Sequence, residues 1–395
     1  MKILIYRWKA YNYRDFIFAL QEMGHTIDIF FYDIKDFDGD SNFSLFMEEQ
    51  LGNKKYDIVM SINYFTVISN VCEKQKIPYI SWNCDSMLIS MHHQSIFNSC
   101  NYIFTFDFAE VKKFKAMGVN HIFYLPLAVE IKRLDNFIAK EKKKIEINQQ
   151  HRAELAFVGN LYERNRYDMI EPVLPDYLRG YLEASLWAQL QVSGGNLLSE
   201  MLTEEILIQI SEHFRLEKRK ESFADLNLIF CSTVLGFKAA NLEREQYLNA
   251  LSLSHQVDLY TDGKTEQLPF VQNKGRLDYW EEMPSVFYHS KINLNFTIPN
   301  ILDGTPLRVF DILACHGFCL TTYREDLLRH FENGKDLVIF EGKEDLLQKV
   351  DYFLEHERER ERIAENGYQK VKKYHTYSIR LRKLFDILKE CGIIS

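Results

Sequence analysis

Residues 290–324 read SKINLNFTIPNILDGTPLRVFDILACHGFCLTTYR. Lys291 to Phe296 has the apolar, β-branched pattern of a strand, and Asn295, Thr297 and Asn300 gather at its end. Asp303-Gly304-Thr305-Pro306-Leu307-Arg308 follows, and Pro306 suits the first turn of a helix. Phe318 to Thr322 is the next strand. Strand, helix and strand at this spacing make one βαβ unit of a parallel sheet. The helix start offers open amides, a flexible Gly304, the Thr305 hydroxyl and the Arg308 guanidinium, which together suit an anion. Asp311, one turn beyond Arg308, can hydrogen-bond vicinal hydroxyls such as those of a ribose. The same residues also fit a capped helix with a surface Arg308–Asp311 pair.

Working outward, the same alternation fills the chain. Strands are expected at Ile3–Tyr6, Thr26–Tyr32, Tyr56–Ser61, Pro78–Trp82, Tyr102–Phe106 and His121–Leu125. Between them Phe16, Ala19, Leu20 and Met23 form one helical face ended by Gly24, and helices are expected at Ile68–Gln75 and Ala109–Met117. The charged stretch Lys132–Gln150 reads as a linker or exposed helix. A fresh strand, Glu154–Val158, ends in Gly159. Residues 168–222 are helical in pattern and read as an insertion. Alternation resumes with strands at Leu226–Cys231, Val257–Thr261 and Leu337–Phe340 and helices at Glu243–Leu251 and Leu346–Leu354. Leu381, Leu384, Phe385 and Leu388 mark a last helix.

The composition narrows the function classes. Lys+Arg is 48 and Asp+Glu 56, a net charge of −8, which disfavours sequence-independent nucleic-acid binding. No stretch approaches the roughly 18 apolar residues of a spanning helix, and the N-terminal apolar run is too short for a signal peptide. Seven scattered cysteines with no CxxC pair suggest reduced thiols and a cytoplasmic protein. There is no P-loop, GxGxxG, GxSxG or HExxH. His92 and His93 are adjacent, so their side chains diverge, and Asp36-Phe37-Asp38-Gly39-Asp40 reads as an acidic, solvated turn. No metal is expected.

Residues 304–311, GTPLRVFD, resemble the G-x-P-L-R-V-F-E stretch of GT-B glycosyltransferases, specifically the spore-maturation-protein-B-like (CgeB-type) branch. Asp303 and Asp311 look like the E-x7-E pair of many such enzymes, with Asp at both places. Residues 365–368 (ENGY) and 375–380 (HTYSIR) are similar to the branch's closing motifs, and Phe157-Val158-Gly159-Asn160 to the turn opening its second domain. Ile80 to Ser86 resembles its W-x-x-D segment, with Met87 in place of the usual proline, and Tyr124-Leu125-Pro126-Leu127-Ala128 its hinge.

The resemblance implies an α/β, GT-B-like fold. Two doubly wound Rossmann-like domains would face a cleft: an acceptor-side domain (1–150) and a nucleotide-sugar domain (151–376), with the helical insertion and a C-terminal crossover helix (377–395). The implied activity is metal-independent transfer of a sugar from a nucleotide-diphosphate donor, itself a substrate, to a protein, glycan or lipid-linked acceptor; no cofactor, nucleic acid or integral membrane association is implied. Donor binding would fall to Gly159, Asn160, Arg164 or Arg166, Lys238, Asp303, Gly304, Thr305, Pro306, Leu307 and Asp311. Arg308 would stabilise the leaving diphosphate, and Asp85, with Asp107 second, would be the base of an inverting reaction. A nucleotide-sugar epimerase of the same architecture and a non-catalytic, transferase-like binding partner are the alternatives.

Overall fold

In the computed structural model, which describes residues 1–52, 55–143, 151–214 and 221–394, the alternation resolves into two parallel sheets of six strands each. The described residues pack as two units: 1–130 with 221–225 and 375–394, and 131–214 with 226–374.

In the first unit, strands β1 (Lys2–Tyr6), β2 (Thr26–Phe30), β3 (Ile58–Ile62), β4 (Tyr79–Asn83), β5 (Asn101–Thr105) and β6 (Ile122–Tyr124) lie in the order β2-β1-β3-β4-β5-β6. Helices α1 (Tyr13–Glu22), α2 (Ser41–Gly52), α3 (Thr66–Gln75) and α4 (Phe108–Ala116) make the crossovers. β3, β4 and β5 are buried along their whole length, which is why they are nearly unbroken apolar runs. The strand order reverses between β1 and β3. Open α/β sheets bind ligands beyond the carboxyl ends of the strands at such a switch point.

The second unit repeats the design with β7 (Leu155–Val158), β8 (Val257–Tyr260), β9 (Gln272–Asn273), β10 (Ile292–Asn295), β11 (Cys319–Thr322) and β12 (Val338–Phe340), in the order β12-β11-β10-β7-β8-β9. Its switch point lies between β7 and β10, so the loops after these two strands frame the rim. Helix α5 (Ile131–Glu141) opens this unit and buries Leu134, Ile138 and Glu141, so the charged stretch is a packed helix as far as Glu141. Residues 144–150 of that stretch lie outside the described residues.

The insertion holds α6 (Arg166–Ile170), α7 (Asp176–Leu190), α8 (Leu198–Met201) and α9 (Glu204–His213) around its own apolar cluster. Leu226–Cys231, expected as a strand, is helical instead. It runs as α10 (Leu226–Phe230) through a π-helical turn (Cys231–Leu235) into α11 (Gly236–Ser252). A short apolar run reads the same in a buried strand and a buried helix, and here the helix continues for seven turns or so. The extra residue of the π-turn lets the Ser232 carbonyl accept from Asn300 Nδ2 (2.9 Å), fastening the insertion to the loop after β10. Asn196 Nδ2 adds a bond to the Pro299 carbonyl at 3.1 Å.

The remaining helices are α12 (Met283–His289), α13 (Leu307–Ala314), α14 (Glu325–His330), α15 (Gly342–Glu355), α16 (Glu357–Tyr374) and α17 (Tyr377–Glu390). α17 belongs to the first unit. Val129 bridges Thr376, and the Tyr377 ring lies 5.7 Å from Trp82 and 6.5 Å from Phe16.

Candidate active site

At the carboxyl rim of the second sheet, α13 begins where Pro306 suggested. Pro306 is the N-cap residue, with no side chain capping the helix. Among the described residues the amides of Leu307 and Arg308 meet no acceptor, as expected of a first turn. The Thr305 amide and hydroxyl, by contrast, both donate to Asp326 Oδ2, at 2.9 and 2.7 Å. Asp303 is held by Arg329, whose guanidinium stays well above its ordinary pKa, chiefly through the Asp303 hydrogen bonds. Gly304, between them, is buried. Thus Asp303 and Thr305 shape the loop through internal bonds, and the open donors of the helix start are the two amides beyond.

Arg308 lies with its guanidinium 5.4 Å from the centre of the Phe287 ring, in contact with Met283 Sδ and 3.6 Å from Asp311. Asp311 is buried and also accepts from the Tyr279 hydroxyl at 2.8 Å. The pair expected from the sequence therefore exists, but only Arg308 keeps substantial access to water: its side chain is 28% exposed and that of Asp311 4%.

The loop after β7 supplies Gly159, whose amide donates to the Tyr260 carbonyl at 3.1 Å; a Cβ there would stand 3.1 Å from the Phe157 ring. Asn160 is exposed and accepts from the Tyr162 amide at 2.6 Å. Arg164 and Arg166 are exposed, Arg164 near Glu163 at 3.6 Å. Lys238 on α11 is paired with Asp168 at 2.8 Å, so its charge is already partly spent.

Two arginines that the sequence did not single out build this rim. Arg244 donates to the carbonyls of Asn160 and Phe296 (2.7 Å for the latter), tying the ends of β7 and β10 together. Arg324 donates to the carbonyls of Thr297, Ile298, Ile301 and Tyr323 at 2.7–3.1 Å. Glu243 lies near both; burial pushes its carboxyl up to about 7 against the pull of Arg324 and Arg244.

In the first unit, Asp85 follows β4. Its Oδ2 accepts from Asn63 Nδ2 at 2.6 Å. The residue is exposed, yet the protein around its carboxyl raises the pKa, and the Asn63 bond opposes that rise. The second candidate, Asp107, caps α4: Oδ1 accepts from the Ala109 amide (3.1 Å) and Oδ2 from the Ser86 hydroxyl (2.9 Å). Nearby Glu110 is buried, accepts from Thr105 at 2.8 Å and is raised to about 8, first by burial and then by Asp107.

The lesser candidates are structural. Asp36 is exposed and Asp38 half-buried, but Asp40 is buried and accepts the Lys35 and Phe43 amides, each at 2.9 Å, so only part of that turn is solvated. His92 and His93 are buried, and burial lowers His92 to about 4. Among the described residues no group of three His, Cys, Asp or Glu could hold a metal ion, and no helix is long and apolar enough to cross a membrane. Sequence reasoning missed Asn63, Tyr279, Arg329 and Asp326 as well as the two rim arginines. An Asn directly after a strand, or an Arg-Glu-Asp one residue beyond one, was the only signal available.

Comparison with solved structures bears on the whole architecture. The Anabaena protein HepE in complex with UDP and glucose superposes with a TM-score of 0.57 at 8% identity, covering 98% of this chain and 99% of that one. Sucrose-phosphate synthase from Thermosynechococcus elongatus gives 0.56 at 10% identity over 100% of both chains, and a glycosyltransferase from Rickettsia africae 0.55 at 12% over 98% of both. The fold is that of the GT-B glycosyltransferases. Residues 244–386, from the rim arginine Arg244 to the last helix, match the family model described as glycosyl transferase-like. That segment contains the whole Asp303–Asp311 region. No curated protein matches the chain by sequence.

Proposed function

We propose that the protein is a glycosyltransferase that moves a sugar from a nucleotide-diphosphate donor to an acceptor hydroxyl, and that it belongs to the CgeB-type branch. The observation carrying this reading is the match of residues 244–386 to a glycosyl transferase-like family on a full-length GT-B fold. That HepE holds UDP and glucose on the same fold supports a nucleotide-sugar donor. The match to a transferase family gives the epimerase and the non-catalytic alternatives no support.

The donor diphosphate would lie at the start of α13. The amides of Leu307 and Arg308 and the Arg308 guanidinium would meet the charge that grows on the leaving phosphate as the glycosidic bond breaks. Asp311 would hold the ribose, with Tyr279 fixing its carboxylate. Gly159 and Asn160 would bring backbone close to the phosphates, with Arg164 and Lys238 as auxiliary cations and Asp303, Gly304, Thr305 and Pro306 shaping the loop. Asp85 would take the acceptor proton in an inverting reaction; a retaining one needs no such base. The seven scattered cysteines, with no CxxC pair among them, are the ground for proposing a cytoplasmic setting.

Incubating the protein with a panel of nucleotide sugars, with and without EDTA, tests this reading. Free nucleoside diphosphate, undiminished by EDTA, is expected. A changed sugar on an intact nucleotide would replace transfer with epimerisation. Binding without turnover would leave a non-catalytic partner.

A further inference from the structure

We propose that Asn63 is the positioning residue of Asp85, fixing one carboxylate oxygen and the backbone beneath it so that Oδ1 is the oxygen with both lone pairs open to a proton. This rests on Asp85 being the base of the transfer reaction. Asn63 follows β3 at the point where the first sheet reverses its strand order, and Asp85 follows the neighbouring β4. The side chain of Asn63 is buried, and its three hydrogen bonds all go to one place. Oδ1 accepts the amides of Cys84 (2.8 Å) and Asp85 (3.3 Å), and Nδ2 donates to Asp85 Oδ2 (2.6 Å). Two N–H donors on one atom require that atom to be the oxygen, so the group facing the carboxylate is the NH2.

The backbone at Asn63 is left-handed, φ 66°, a conformation that Asn tolerates better than most residues. Ser61 holds this turn by donating to the Asn63 carbonyl at 2.6 Å; its own hydroxyl meets that of Tyr79 at 2.6 Å, and Tyr79 accepts the Phe65 amide at 3.0 Å. On the far side, Ser86 is tied to Asp107. Asp85 therefore sits between two anchored points, and among the described residues Asn63 is its one hydrogen-bond partner. Of the titratable groups around it, Cys84 is neutral, its thiol raised by burial, and Asp107 acts one hydroxyl away through Ser86. Asp85 is exposed, but the protein packed around its carboxyl pushes the pKa up and the Asn63 N–H restrains it. A base held with one oxygen bonded to Asn63 is oriented, and the same bond favours its ionised form.

Asn63→Gly keeps the left-handed backbone and removes the side chain, whereas Asn63→Asp keeps an acceptor for the two amides and removes the donor. Three measurements are made on both: melting temperature, the Asp85 carboxyl titration by carbon-13 NMR, and the pH profile of nucleotide release from the donor that the panel identifies. Folded Asn63→Gly should show Asp85 titrating about one pH unit higher, a parallel shift of the acid limb, and kcat reduced roughly ten- to a hundredfold with donor KM within about twofold. Asn63→Asp should move the titration further, since two carboxylates then share the site. An unchanged Asp85 titration in folded Asn63→Gly overturns the proposal even if no donor is found. The reading beneath it fails differently: Asp85→Asn with full activity removes the base, whereas an inactive Asp85→Asn beside a wild-type Asn63→Gly removes only the positioning role.

Discussion

Arg329 holds Asp303 with both terminal nitrogens, Nη1 to Oδ1 at 2.6 Å and Nη2 to Oδ2 at 2.8 Å. The same guanidinium reaches Asp326 at 3.1 Å, and Asp326 carries the amide and hydroxyl of Thr305. The loop that starts α13 is thus wired to α14 through carboxylates on both sides of one cation.

Removing that cation takes from the buried Asp326 and Asp303 the charge that both share. Arg329→Ala should cost about 2 kcal/mol of stability, less than a fully buried pair because the guanidinium is 30% exposed. Arg329→Lys should restore less than half, since an ammonium cannot match two carboxylate oxygens at once. Urea denaturation midpoints check both; a midpoint equal to wild type for Arg329→Ala would contradict the wiring.

Arg308→Ala should lower donor turnover roughly ten- to a hundredfold, the range of one charge-assisted hydrogen bond. The loss should be larger in kcat than in donor binding, because the phosphate charge grows in the transition state. Arg308→Lys should recover part of it. Stability should fall by no more than about 1 kcal/mol, since the partly exposed pair with Asp311 is 3.6 Å apart. A folded alanine variant with wild-type turnover would remove Arg308 from the site.

Glu110 makes stability depend on pH. Its carboxyl titrates near 8 in the folded chain against 4.5 ordinarily, so between those values the folded state holds a proton that the unfolded state has lost. Stability therefore falls as pH rises through that window, by up to about 1.4 kcal/mol per pH unit. Glu110→Gln should unfold at higher urea than wild type at pH 8, with the gap closing toward pH 5. A gap that widens toward pH 5 would reverse the assignment.

Gly236 lies where the insertion meets the rim. A Cβ there would stand 2.1 Å from Asn300 Oδ1 and 2.9 Å from the Cys231 carbonyl. Gly236→Ala must displace Asn300 and should destabilise by about 1–3 kcal/mol, despite the better helix propensity of alanine. Thermal unfolding of Gly236→Ala, of Asn300→Gly and of the double variant checks the crowding: Asn300→Gly alone gives up the bond to the Ser232 carbonyl, and the double variant should lose less than the two single changes added together.

Much of this was legible in the sequence because parallel strands buried on both faces write themselves as apolar runs. β3, β4, β5 and β10 appeared there, as did the start of α13 after Pro306. Leu226–Cys231 was misread because six apolar-rich residues carry no period long enough to separate a strand from a helix. The site was legible only as a list of residue types. Thr305 and Asp311 were visible as a hydroxyl and a carboxylate, but their partners, Asp326 and Tyr279, lie 21 and 32 positions away and follow no periodicity. Asn63 shows the same limit, since nothing local announces a side chain whose bonds all land after the next strand.

The first unit is discontinuous along the chain, and that sets an order of assembly during synthesis. Tyr377, Leu381, Leu384, Phe385 and Leu388 of α17 are buried in it, with the Phe385 ring 4.7 Å from that of His25. Residues 1–130 leave the ribosome first, yet the flank formed by Phe16 and Trp82 stays uncovered until the last helix emerges. The nascent first sheet must therefore remain soluble, with an apolar flank open, while the whole of the second unit is translated.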